Sequence, residues 1–119
     1  MTFLIAGATG TVGREVVRQL VAAGHPVRAL TRDPERARVP EGAEAVRGDL
    51  TDPDSLMPHL TGVEGLHLIT FGGDDYAPLE TGPRLVELAE DAGVRRVTVL
   101  SDFHEGGVQE ALRASALAW

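Results

Sequence analysis

The 119-residue chain contains no cysteine and no lysine, and all eleven of its basic residues are arginine. Without thiols there is neither a disulfide framework nor thiolate chemistry, a usage that fits the cytoplasm. Without a lysine amine, a Walker-type phosphate loop and any lysine-dependent mechanism are excluded within these residues. Long apolar runs are missing too: none approaches the ~18–20 residues of a membrane span. Strand patterning begins at Thr2, so no secretory signal is expected. Net positive charge is absent. At a formal charge of −7 the chain would forgo the counterion release that drives nucleic-acid binding, so no nucleic-acid partner is expected. What remains, 43% hydrophobic and 24% charged residues, is the composition of one globular domain.

Along that domain the pattern alternates strand and helix. "TFLIA" (Thr2–Ala6) is a short apolar run, as expected of a strand buried on both faces. Val12, Val16, Val17, Leu20 and Val21 form a stripe of helical period that Gly24 should stop. Further strands are expected at Pro26–Thr31, Ala43–Gly48, Leu66–Thr70 and Arg96–Ser101. Short helices are expected at Asp33–Arg36, with Asp33 capping, and at Asp52–Leu60, where Pro58 limits length. After a Gly/Asp loop, Leu79–Ala92 reads as a helix that Pro83 either starts or kinks. Val108, Ala111, Leu112 and Ser115 mark a last amphipathic helix. Five strands separated by helices predict an α/β fold, a doubly wound parallel sheet covered on both faces.

Between the first strand and the first helix stands "GATGTVG", with Gly7, Gly10 and Gly13 three apart. Strand-to-helix turns of this kind cradle a pyrophosphate. Missing Cβ atoms admit the ligand to the backbone, and the helix N-terminus offers free N–H groups and the positive end of its dipole. Gly7 would open the turn, Gly10 leave room for ligand and Gly13 let the helix lie close to the strand. The spacing is GxxGxxG rather than the commoner GxGxxG. An acidic residue about 20 positions further usually holds the adenosine ribose, whereas an arginine there accommodates a 2′-phosphate. Arg32 and Asp33 both stand at that point. Asp33 has a competing role as a helix cap before Pro34, while Arg32 has no evident structural duty unless it is simply solvated. NADP(H) is therefore expected in preference to NAD(H), with Arg14 a candidate assistant.

These stretches resemble a known family. "FLIAGATGTVGREVVRQLVAAGHPVRALTRDPERA", "GDLTDPDSL", "AGVRRVTVLS" and "ALRASALAW" are together similar to the N-terminal half of NmrA-like, atypical short-chain dehydrogenase/reductases. The resemblance implies a Rossmann-type sheet of order 3-2-1-4-5, lacking later strands and a substrate lobe, with residues 1–119 as the NAD(P)-binding part of a longer fold. It implies that Thr9, Thr11 and Val12 join Gly7, Gly10 and Gly13 around the cofactor, and that Arg32 holds the 2′-phosphate. It also sets Asp49 against the adenine amine and Leu50 on the ring, although Asp49 could equally cap a turn. Thr70, Phe71, Gly72 and Ser101, at strand carboxyl ends, should face the nicotinamide ribose.

Catalytic residues are less legible. Short-chain reductases use a Tyr-x-x-x-Lys pair, but here Tyr76 is followed four residues on by Glu80. Ser101 alone matches a catalytic position, and as a catalyst it lacks partners. "SDFH" (Ser101–His104) is not preceded by a nucleophile elbow, and the four histidines have no metal-ligand spacing. Three functions follow from the resemblance: the cofactor half of an NAD(P)H-dependent oxidoreductase of quinone or carbonyl type, a redox-sensing regulator that signals to a protein partner without turnover, or a truncated inactive remnant. The fifth strand, with a bare edge and exposed valines, should invite self-association.

Overall fold

The computed structural model describes residues 2–72, 77–100, 107–115 and 117–119. Five parallel strands form the sheet: β1 (Thr2–Ile5), β2 (Val27–Thr31), β3 (Ala43–Arg47), β4 (Val63–Ile69) and β7 (Arg96–Leu100). Their order is β3-β2-β1-β4-β7, the doubly wound order expected. Helix α1 (Thr11–Ala22) covers one face; a 3₁₀ helix (Pro53–His59), α2 (Gly82–Asp91) and α3 (Gly107–Arg113) belong to the other. Alternation along β1 sorts the core. Leu4 joins Leu30, Leu56, Leu68, Leu85 and Leu112 on the second face, while Ile5 joins Val17, Val27 and Ala29 beneath α1. Both sets are excluded from water, so the central strands read as unbroken apolar runs. Truncating a side chain such as Leu68 to alanine would cost about 2–5 kcal/mol.

Several local expectations are corrected. Asp33–Arg36 is a turn, not a helix: Arg36 and Ala37 N–H both donate to the Asp33 carbonyl, and no helix follows before Pro40. A proline disfavours helical geometry in the residue before it, which limits any longer helix here. The segment after Asp52 is entirely 3₁₀, with Pro58 inside it. Pro83 stands in the first turn of α2, which begins at Gly82, rather than kinking it, so Leu79–Thr81 precede the helix. Part of the expected Gly/Asp loop is a small antiparallel pair, β5 (Phe71–Gly72) with β6 (Ala77–Pro78).

The fifth strand of the main sheet, β7, is less bare than its position implies. Val97 is buried and Val99 half-buried, not exposed. The Val97 N–H donates at 2.8 Å to the carbonyl of Ala118, which runs parallel to β7 there. Arg113 lies over the Trp119 ring at 5.8 Å from its centroid and helps hold this segment.

Candidate functional site

The carboxyl ends of β1, β2 and β3 all open on the same edge of the sheet, and the turn from β1 into α1 closes one side of the resulting cleft. The three glycines there meet three different requirements. Gly7 has φ of +62°, a left-handed conformation that side chains rarely adopt. A Cβ on Gly13 would lie 2.0 Å from the Gly7 carbonyl oxygen, so α1 can begin only because that atom is missing. At Gly10 the nearest atom to such a Cβ is 3.3 Å away, and the residue is exposed on the cleft. The turn itself is closed by Gly10 N–H donating to the Gly7 carbonyl at 3.0 Å.

The first hydrogen bond within α1 runs from Arg14 N–H to the Gly10 carbonyl. The N–H groups of Thr11, Val12 and Gly13 therefore have no intrahelical partner. No side chain caps them and the first turn holds no acid. Glu15, the acid of this helix, is drawn to Arg18 and Gln19, which hold its carboxyl down to about 2. The helix thus presents unopposed donors and its dipole to the cleft, as an anion site needs.

The cleft has a volume of about 840 Å³. It brings together Gly7, Thr9, Gly10, Thr11, Val12 and Gly13 with Arg32 and Asp33 past β2, and with Asp49 and Leu50 past β3. All are residues that the sequence singled out. The Asp49 carboxylate accepts from both Thr51 N–H (2.9 Å) and Thr51 Oγ1–H (2.7 Å), so it does cap a turn. Both bonds use Oδ1, which leaves Oδ2 outside that turn. Leu50 is set by Thr81, whose hydroxyl donates to the Leu50 carbonyl at 2.6 Å. The Asp33 carboxylate lies 3.4 Å from Arg36 Nε.

Other candidates fall elsewhere. From β4 the cleft receives Ile69, while Thr70 is buried and its carbonyl accepts the Leu79 N–H at 3.0 Å. Leu100 of β7 also lines the cleft. Neither Ile69 nor Leu100 was legible beforehand, since apolar residues ending buried strands read simply as core. Phe71 and Gly72 form β5. Ser101, Tyr76 and His104 lie outside the described residues. Among the described residues no cluster of His, Asp and Glu could hold a metal ion, and no helix is long and apolar enough to cross a membrane.

A glycine turn feeding a helix N-terminus, with Arg32 and Asp49 beyond the next two strands, is a dinucleotide geometry. Residues 7–119 match a family model described as NAD(P)H-binding. The chain belongs to this NAD(P)H-binding family. Its relatives include an NAD(P)H azoreductase of Xenophilus azovorans, 31% identical over 130 residues and matched over 98% of this chain and 45% of its own length. A photosystem II assembly factor of Cyanophora paradoxa is 45% identical over 65 residues, or 53% of this chain and 20% of that protein. Among solved structures, an NADPH-dependent quinone oxidoreductase of Escherichia coli complexed with NADPH superposes with a TM-score of 0.77. It is 26% identical, and the match covers 98% of this chain and 46% of that one. The NAD(P)H-binding chain thus spans less than half the length of each of these three proteins. Its Rossmann-type sheet and its 30% identity to a short-chain dehydrogenase/reductase superfamily protein of Agrobacterium tumefaciens agree with the family expected from its motifs.

Proposed function

We propose that this domain holds NADP(H) for an NAD(P)H-dependent reductase, with the pyrophosphate on the Gly7–Gly13 turn, the 2′-phosphate on Arg32 and the adenine between Asp49 and Leu50. One observation carries the reading: a single cleft collects all of these residues at the carboxyl ends of three adjacent strands. In an open parallel sheet that edge is where a dinucleotide lies. The hydride chemistry belongs to the cofactor, and these residues supply binding, orientation and electrostatics. The azoreductase and quinone oxidoreductase relatives support a reductase. Thr70, Phe71, Gly72 and Ser101 remain assigned to the nicotinamide end, and the cytoplasm to the protein's location.

Calorimetric titration with NADPH and NADH tests this reading. We expect both to bind, NADPH more tightly. Arg32→Ala should cost roughly 1.5–3 kcal/mol with NADPH, the scale of charge-assisted hydrogen bonds, and change NADH little. Equal losses for both cofactors would remove Arg32 from the 2′-phosphate. A regulator that binds without turnover would give the same titrations. The two readings separate when NADPH oxidation is followed with a quinone or azo acceptor.

A further inference from the structure

The β2–β3 register sets Arg47 opposite Thr31, one position before Arg32, where these neighbouring strands end. Arg47 Nη1 donates to the Arg32 carbonyl at 3.2 Å. Its own backbone is anchored. His59 Nε2–H donates to the Arg47 carbonyl at 3.0 Å, and the Gly48 N–H donates to the Thr31 carbonyl at 3.0 Å. The His59 carbonyl in turn accepts Arg28 Nη1 at 2.7 Å. Among the described residues no carboxylate pairs with Arg47. The two acids lining this end of the cleft are engaged elsewhere: Asp33 lies 3.4 Å from Arg36, and Asp49 accepts from Thr51. In a chain of net charge −7, Arg47 thus ends β3 with no carboxylate partner among the described residues.

We infer that Arg47 is a second determinant for the 2′-phosphate, acting as a positioning residue through Arg32 and adding its own charge beside the site. This rests on Arg32 being the phosphate ligand. A hydrogen bond to the Arg32 carbonyl restrains the peptide that aims the Arg32 side chain, which lowers the ordering cost on binding. A phosphate monoester also carries about −1.5 to −2 at neutral pH. One guanidinium leaves part of that charge uncompensated, and a second within a Debye length of ~8–10 Å contributes to the balance.

Titrations of the unmodified chain, Arg47→Gln, Arg47→Lys and Arg32→Ala with NADPH, NADH, 2′-AMP and 5′-AMP test this. Arg47→Gln should weaken NADPH and 2′-AMP about fivefold, the upper scale of an exposed charge interaction. It should leave NADH and 5′-AMP within about twofold of their starting affinities. The difference should shrink as salt is raised. Arg47→Lys keeps the charge and should recover part of the loss. Circular dichroism and the urea midpoint should be unchanged, since Arg47 is exposed on an edge strand. Equal weakening for all four ligands would make Arg47 merely structural and overturn the inference. Loss of 2′-phosphate preference in Arg32→Ala with none in Arg47→Gln would overturn this inference alone. No change of preference in Arg32→Ala would overturn it together with the assignment of Arg32.

Discussion

Gly10 and Gly13 look alike in the sequence and differ in what they would tolerate. A side chain at Gly13 collides with backbone that closes the turn, so Gly13→Ala must shift the start of α1. A side chain at Gly10 meets its nearest neighbour at 3.3 Å and otherwise projects into the cleft. Gly10→Val should therefore abolish NADPH binding while most helix and strand content survives. Gly13→Ala should lower both affinity and thermal midpoint. Calorimetry beside circular dichroism reads the two apart. Undiminished NADPH affinity in Gly10→Val would contradict a pyrophosphate at this turn. A loss of fold in that variant would be equally unexpected, and Gly10→Ala then isolates the effect on binding.

His67 shows how a strand can hold a polar residue in its middle. It stands on β4 opposite Ile5 of β1 and Thr98 of β7. Its Nδ1 shares a 2.8 Å hydrogen bond with Thr98 Oγ1, and its Nε2 is buried with no partner. Burial alone depresses its pKa below the usual 6.5, since no charged group contributes. The unfolded chain therefore takes up a proton at a higher pH than the folded one. The stability tied to neutral His67 is complete above about pH 6.5 and is lost as pH falls through that value toward the depressed folded pKa. Urea unfolding between about pH 7.5 and 5 should show this decline. In His67→Leu the decline should be absent, because the titrating ring is gone. A parallel decline in both proteins would assign it to other groups.

For the molecule as a unit, the outer edge of β7 decides whether it stays single. Ala118 satisfies the Val97 N–H. By the two-residue period of a strand, the Val99 N–H points the same way, and no partner for it occurs among the described residues. An edge with an open donor can pair with a second chain. We expect weak, concentration-dependent self-association, measurable by sedimentation velocity. Val99→Pro should suppress it and still fold, because proline is tolerated where an edge N–H faces outward. Monomeric behaviour of the parent chain at all concentrations would contradict pairing through this edge.

How much was legible beforehand follows from which interactions are local. While its strand order came from the family resemblance, the doubly wound parallel sheet could be read because apolar runs buried on both faces alternate with helices. The glycine turn was legible for the same reason: left-handed φ at Gly7 and close contact at Gly13 are demands that only one residue type meets. Asp33–Arg36 misled because a capping residue before proline suits a turn as well as a helix, and here the Asp33 carbonyl closes a turn by accepting from Arg36 and Ala37. The exposure expected of the β7 valines failed because Ala118 and the helical face of the core cover them. Ile69 in the cleft, Thr98 beside His67 and Arg47 on the Arg32 carbonyl had no signal in the chain. Each of those contacts depends on how neighbouring strands and their ends are set beside one another, and strand register, set by the packing of the whole sheet, determines which residues meet. Periodicity and glycine spacing determined the α/β class and a pyrophosphate-bearing ligand; only the assembled sheet decided which side chains stand around it.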